Sequence, residues 1–527
     1  MVIQMPTIQR GVAPHAPHRP PEIVIERLTR HGGSGPTVKK FAPGTGAEYA
    51  RLRHATADDV EGAFVTARQA QKAWAATPAK ERVKPFIRFH DRVLQDEVVL
   101  DLIQTENGKA RSSAFEEVLD VAGVALYYAR RAPKILEPHK RSGAVPLATR
   151  TTERRHPKGV VGVISPWNAP LALGICDIIP ALLAGNAVVH KPDSQTALTA
   201  LYARELLVSS GLDPALWQII VGDSGTVGAP LIDRADHICF TGSTAGGRKI
   251  AAGAAQRLIS CTLELGGKNP MIVLGDADIA KAAAGAVRAC FGHGGQLCLA
   301  IERIYVSSAK YQEFVENFVR NTAELRLGDA LDFSFDIGSL TNQSQLDTAK
   351  RHVADAVAKG ARILSGGRTR PDLGPYFFEP TILENVTPEM DVCAEETFGP
   401  VVSVYPFDTE EDAIGLANAT EFGLNASVWS RDIKRANEVG SRVMAGTVNV
   451  NEGYGSAYAS ADAPMGGMKA SGLGRRHGEH GLLEYTEAQT IASQHVIGFD
   501  KPPFLTARQN VKLLTRTYQL MKALRIK

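Results

Sequence analysis

The chain has 527 residues, a formal net charge of +3, 44% hydrophobic residues and 22% charged residues. This is an ordinary globular composition, long enough for more than one core-bearing unit, and its charge is too balanced to argue for a nucleic-acid partner. No apolar run approaches the roughly 20 residues of a membrane helix. Six cysteines standing singly, with no C-x-x-C pair, argue against a zinc site or disulfide framework and for a reducing, cytoplasmic setting.

Residues 1–21 are rich in Pro, His and Arg, show no signal-peptide core and are expected to form a flexible arm. Thr56-Ala57-Asp58-Asp59 reads as a helix start, followed by Val60, Phe64, Ala67, Ala70 and Trp74 at helical spacing. A second helix is expected over about 83–103, a turn at Thr105-Glu106-Asn107-Gly108-Lys109, and a third helix over about 113–129. All of this reads as scaffold. Residues 142–158, with Thr151, Thr152 and paired arginines, read as extended strands.

From Gly159 the pattern becomes strand–helix alternation, with strands expected at 160–165, 186–191, 217–221 and 237–241. Such alternation means a parallel sheet with ligands at the carboxyl ends of its strands. Trp167, Asn168, Lys191, Gly242 and Ser243 stand at or just past those ends. There is no G-x-G-x-x-G after the first strand. Gly242-Ser243-Thr244-Ala245-Gly246-Gly247 instead leads into a helix expected near Gly247, where backbone amides suit a pyrophosphate; alone, the same cluster also reads as an ordinary tight turn.

A second α/β unit is expected after Glu264, with strands at 271–274, 304–306 and 446–451 and helices near 277–291, 312–326 and 345–359. The loop 452–462, rich in Gly, Ser, Ala and Tyr, is a candidate wall of a substrate pocket. The tail from Lys501 contains no acidic residue. Val511, Leu514, Tyr518 and Met521 line one side of an expected helix, with Arg508, Lys512 and Arg516 on another. Packing on its own oligomer is the expectation for this basic amphipathic helix, and a membrane contact is the alternative.

Two stretches carry chemistry. In Phe291-Gly292-His293-Gly294-Gly295-Gln296-Leu297-Cys298, glycines let backbone come close to a bound molecule and leave the sulfur approachable, as a nucleophilic thiol requires. A lone cysteine is more often a small buried hydrophobe. In Thr262-Leu263-Glu264-Leu265-Gly266-Gly267-Lys268, one carboxylate sits in an apolar run, and burial raises a carboxyl pKa towards that of a usable base. A nucleophile and a base together outweigh the bland reading of either.

F-x-x-x-G-Q-x-C with L-E-L-G-G-K resembles the aldehyde dehydrogenase superfamily. The resemblance continues through Pro166-Trp167-Asn168, Lys191-Pro192, Thr241-Gly242-Ser243-Thr244, Glu395-Glu396-Thr397-Phe398-Gly399-Pro400 and Pro464-Met465-Gly466-Gly467-Met468-Lys469-Ala470-Ser471-Gly472, in the family's order, over about residues 22–496. It implies an α/β fold with a Rossmann-type cofactor domain (22–141 and 159–263), a catalytic domain (264–483), a β-flap oligomerisation arm (142–158 and 484–496) and a tail (497–527). It also implies a homodimer or homotetramer acting on a small aldehyde, with no metal.

The implied nucleophile is Cys298. Asn168 and the Cys298 N–H stabilise the oxyanion, and Glu264 activates the hydrolytic water. Lys191 and Glu396 would hydrogen-bond the riboses and Phe398 would pack near the nicotinamide, with Trp167, Ser194, Gly242, Ser243 and Leu265 also on the cofactor side. A CoA-acylating relative would lack a base at position 264.

Gly295-Gln296-Leu297-Cys298 and the segment 464–478 are most similar to the succinate-semialdehyde dehydrogenases, with broad medium-chain or aromatic aldehyde oxidation as the alternative. A catalytically silent structural homologue is a further alternative, which would need neither Cys298 nor Glu264. Many members carry a second cysteine two positions after the nucleophile; Ala300 stands there, so no disulfide forms at that spacing. NAD-preferring relatives commonly have glutamate where Ser194 stands. Serine removes a carboxylate that would repel a 2′-phosphate, while the neighbouring Asp193 restores some repulsion if it points inward; NADP is expected, with NAD possible.

Overall fold

The computed structural model describes residues 20–143, 149–495 and 501–525. Most of the arm expected at 1–21, and parts of the flap and tail, therefore lie outside the described residues. The helix Ala57–Ala76 opens with a capping box in which Thr56 and Asp59 satisfy each other's backbone N–H groups. The single helix expected over 83–103 is two, Lys84–Val93 and Glu97–Asn107. Asp96 divides them, its side chain accepting from the Val99 N–H as an N-cap. The second ends at Gly108, φ 87°, a left-handed position suited to glycine. Thr105–Asn107 are thus the last helical turn and not a free turn.

The first sheet has six strands in the order Gly472–Leu473, Ser260–Glu264, His237–Thr241, Val160–Ile164, Ala187–Lys191, Trp217–Ile219. All pairings are parallel except that of Gly472–Leu473. Val160–Ile164 and Ala187–Lys191 are buried at every position, as expected of central strands covered on both faces. The chain leaves Val160–Ile164 towards Ala187–Lys191 and later returns to its other side with His237–Thr241. This reversal makes a crevice at the carboxyl ends of those two strands, the place where doubly wound sheets bind ligands. Residues 165–168 and 242–243 lie there.

The second sheet has seven strands in the order Arg362–Ser365, Thr381–Glu384, Val401–Phe407, Ile301–Ser307, Asn269–Val273, Asn425–Trp429, Thr447–Val450. Only the first pairing is antiparallel. The chain does not stay with this unit to its end. Gly472–Leu473 joins the first sheet beside Glu264, and Leu482 and Tyr485 lie in the first unit's core.

Thr486–Gln494 then pairs antiparallel with Thr149–Pro157 in unbroken register, and His139–Arg141 adds a third strand. Thr486 is buried and the rest of its strand is exposed. The last helix, Ala507–Ala523, buries Met521 and leaves Val511, Leu514 and Tyr518 exposed. Among the described residues no helix is long and apolar enough to cross a membrane.

Candidate active site

The loop to Cys298 is shaped by its glycines. The helix Ile279–Phe291 gives way to a tight turn in which His293, Gly294 and Gly295 all have positive φ (55°, 66° and 70°). A Cβ on Gly295 would lie 2.2 Å from the Gly399 carbonyl oxygen, so this approach requires glycine. Asn269 Nδ2 donates to the carbonyls of Cys298 (2.7 Å) and Ala300 (2.8 Å), and Asn168 Nδ2 donates to that of Gln296 (3.0 Å). An amide NH₂ has two donors, so one Asn168 N–H is uncommitted.

Glu264 ends the strand Ser260–Glu264 and is buried, and its Oε1 has no hydrogen-bond partner among the described residues. Burial raises its pKa to about 7, with the Arg476 cation pulling the other way. Burial also pushes the Cys298 thiol up to about 12, the Glu264 carboxylate adding to the shift and Arg476 opposing it. A thiol so placed is protonated at neutral pH until a base or a nearby positive charge favours the thiolate.

Two cavities meet at these groups and share Asn168, Leu173, Thr241, Glu264 and Cys298 in their walls. On one side lie Trp167, Gly242, Ser243, Leu265, Glu396 and Phe398, six residues singled out in the sequence for the cofactor. Trp167 and Phe398 meet edge to face at 5.6 Å. Glu396 Oε1 accepts from the Gly267 N–H (2.7 Å), and burial raises its carboxyl to about 8. Ser243 Oγ caps the helix Thr244–Gln256 through the Gly246 N–H. That helix begins three residues before the expected Gly247, because Ser243 caps its first turn.

Lys191 and Ser194 do not line either cavity; they lie at the end of the neighbouring strand and in the turn beyond it. Lys191 is buried, and among the described residues its ammonium makes one long hydrogen bond, 3.4 Å to the Pro192 carbonyl. A buried cation so weakly satisfied fits a polar ligand group at this strand end. Asp193 Oδ1 accepts from the Gln195 N–H at 2.8 Å, and its negative charge also reaches Lys191.

Several residues here have no individual role assigned from sequence. Lys40 is buried close enough to Asp193 and Lys191 to feel both charges. Arg476 lines the other cavity, its Nη2 donating to Asp177 Oδ2 (2.6 Å) and Thr241 Oγ1 (3.1 Å) and its Nε buried without a partner. Tyr454 and Tyr458 line that cavity too, and both come from the 452–462 loop expected to form its wall.

A doubly wound sheet facing a second α/β unit across a cleft with a thiol and a buried carboxylate defines a nucleotide-dependent enzyme of the thiol type. The sequence matches the aldehyde dehydrogenase family over residues 30–491. A Mycolicibacterium smegmatis protein named "Putative succinate-semialdehyde dehydrogenase (NADP(+))" is 50% identical, covering 87% of this chain and 89% of that protein. The mitochondrial succinate-semialdehyde dehydrogenase of Oryza sativa subsp. japonica is 36% identical, covering 87% and 86%. Betaine aldehyde dehydrogenase from Staphylococcus aureus, solved in complex with NAD+, superposes with a TM-score of 0.84 at 30% identity, covering 92% of this chain and 99% of that one. The chain belongs to the aldehyde dehydrogenase family, and it is an NAD(P)-dependent enzyme that oxidises aldehydes.

Proposed function

We propose that the enzyme oxidises succinic semialdehyde to succinate with NADP, in the cytoplasm. The observation that carries the chemistry is the single junction where Cys298, the unpartnered Glu264 and Asn168 share a wall. Cys298 Sγ, its proton lost to solvent as the Arg476 cation favours the thiolate, adds to the aldehyde carbon. The charge that develops on oxygen is met by the free N–H of the Asn168 amide and by the Cys298 backbone N–H. When bound, NADP supplies the hydride acceptor, and a thioester on Cys298 remains. Glu264 takes a proton from water as that water adds to the thioester carbon. The carbon–sulfur bond then breaks, releasing the acid and the thiol.

Support for the semialdehyde comes from the names of the relatives at 50% and 36% identity and from Arg476, a cation in the substrate-side wall. A second reading has its own observation: Leu173, Leu297, Leu299 and Met465 make much of that wall apolar, which suits an uncharged medium-chain or aromatic aldehyde. A panel of aldehydes read as kcat/KM decides between them. Succinic semialdehyde is expected to lead by at least about tenfold, a margin of about 1.4 kcal/mol; a rank far below hexanal or benzaldehyde would establish the second reading.

The cofactor preference rests on Ser194 and on Lys191 and Lys40 nearby. A 2′-phosphate carries about −1.5 to −2 charges, so a carboxylate introduced here repels it. Ser194→Glu is expected to lower the NADP-to-NAD ratio of kcat/KM by at least about tenfold, about 1.4 kcal/mol. An unchanged ratio would remove Ser194 from the account.

Assembly as a homodimer or homotetramer is part of the proposal. The three-stranded sheet of His139–Arg141, Thr149–Pro157 and Thr486–Gln494 supports it, because Thr486–Gln494 is an edge strand exposed beyond Thr486 and an exposed edge pairs readily with another chain's strand. A monomeric mass in solution would overturn it.

A further inference from the structure

A fully buried ammonium, outside the residues given roles above, reaches the active-site loop. Lys109 Nζ, with a side chain 0% exposed, donates to Glu117 Oε1 and to the backbone carbonyl of Asn168, each at 2.6 Å, and stands 3.1 Å from His293 Nδ1. The other Glu117 oxygen accepts from the N–H groups of Leu171 and Ala172 (2.8 and 3.1 Å). Two residues before Lys109, Asn107 Nδ2 donates to the Trp167 carbonyl (2.9 Å) and to Thr341 Oγ1 (3.1 Å). The Thr341 N–H donates in turn to Gln296 Oε1 at 3.0 Å. One short segment thus holds both carbonyls of Trp167-Asn168 and, through His293 and Thr341, the loop that carries Cys298.

Scaffolding alone does not require this arrangement, since apolar residues commonly replace a buried ion pair without loss of stability. The charged pair here adds direction. Glu117 turns Lys109 towards a carbonyl, and the same carboxylate grips the amides that follow Asn168. Burial and the adjacent Lys109 ammonium lower the His293 pKa. A neutral ring whose Nδ1 accepts from Lys109 and whose Nε2–H donates to Glu116 Oε2 (3.2 Å) fits these contacts.

We propose that Lys109 is a positioning residue for the reaction: paired with Glu117, it clamps the Asn168 carbonyl and so fixes the Asn168 amide where the oxyanion develops. The inference rests on the roles proposed above for Cys298 and Asn168. Its weight comes from how steeply catalysis depends on geometry, a misplacement of about 1 Å being worth about 100-fold.

The test separates the oxyanion site from the thiol. Oxidation needs both, whereas alkylation of Cys298 by iodoacetamide needs only an accessible thiolate. Lys109→Met is expected to lower kcat for aldehyde oxidation about 100-fold. Its Cys298 alkylation rate, read on the isolated peptide by mass spectrometry, should stay within about threefold of the parent's, because the loop loses only the His293 contact and keeps the Asn107–Thr341–Gln296 bonds and the Asn269 bond to the Cys298 carbonyl. Equal losses in both rates would show general loosening of the loop and overturn the proposal, as would unchanged oxidation.

Because Lys109→Met leaves Glu117 buried and unpaired, the double variant Lys109→Met/Glu117→Gln carries the same reading if the single one does not fold. Lys109→Arg, which keeps the charge and N–H donors for Glu117 and the Asn168 carbonyl, should oxidise faster than Lys109→Met at a similar alkylation rate. Asn168→Ala is the control: it should lose about 100-fold or more. If it stays fully active, the proposed site roles fail. If it loses activity while Lys109→Met does not, only the clamp fails.

Discussion

Replacement of Cys298 by alanine is expected to abolish aldehyde oxidation, a fall of at least about 10⁴-fold in kcat, while NADP binding, read by fluorescence or calorimetry, stays near the parent value. The sulfur is the atom that would bond to substrate, and no other cysteine can replace it. Cys176, Cys239 and Cys290 are buried, and Cys261 and Cys393 do not line either cavity at the site. The groups proposed to hold the cofactor, among them Ser243, Lys191 and Glu396, stand on elements built without that sulfur. Substantial turnover by Cys298→Ala would remove covalent catalysis from the account. Loss of NADP binding together with activity would mean that the variant had disturbed the site as a whole.

The second large effect is expected from Glu264→Gln. The variant keeps the shape of the side chain and removes the base, so steady-state turnover should fall by about 10² to 10⁴-fold, the usual contribution of a general base. Formation of the thioester does not need the hydrolytic base. A single burst of NADPH, equal to the enzyme present, should therefore survive and be followed by near silence. The parent should show a matching pH dependence. Burial holds the Glu264 carboxyl near 7, and the base acts only when ionised. The hydrolytic rate should thus rise with pH through about 7 and level off above it, and this rise should vanish in Glu264→Gln. A variant without a burst, or one that keeps both full turnover and the parent's pH profile, would assign the base elsewhere.

Much of this site could be read from the chain because its chemistry is local in sequence. The glycines of 292–295 announce a loop that brings backbone close, and the structure gives a reason at Gly295, where a side chain would strike Gly399. Val160-Val161-Gly162-Val163-Ile164 announces a strand buried on both faces, and the residues after it fall at the crevice. What was not legible depends on partners far along the chain. Asp96 acts as a cap, although the apolar spacing runs on through it.

Lys109 and Glu117 look like surface charges on a scaffold until the fold brings Asn168 and His293 to them. Arg476 could be seen within a family segment, but not its pairing with Asp177, almost 300 positions earlier. The return of Gly472–Leu473 to the first sheet was likewise hidden, because two residues carry no periodicity. Asp193 was ambiguous in sequence, its carboxylate able to face the cofactor or the turn; one oxygen takes the Gln195 N–H while the charge still reaches Lys191 and Lys40.

The central claim is that oxidation passes through an acyl group on Cys298 that Glu264 helps to hydrolyse. The most direct measurement is mass spectrometry of Glu264→Gln, quenched in acid after mixing with succinic semialdehyde and NADP. The account predicts a succinyl adduct on the peptide that carries Cys298, at close to one per active site, and none when NADP is left out. NADPH release with no adduct on that peptide, or an adduct on a different cysteine, would contradict it.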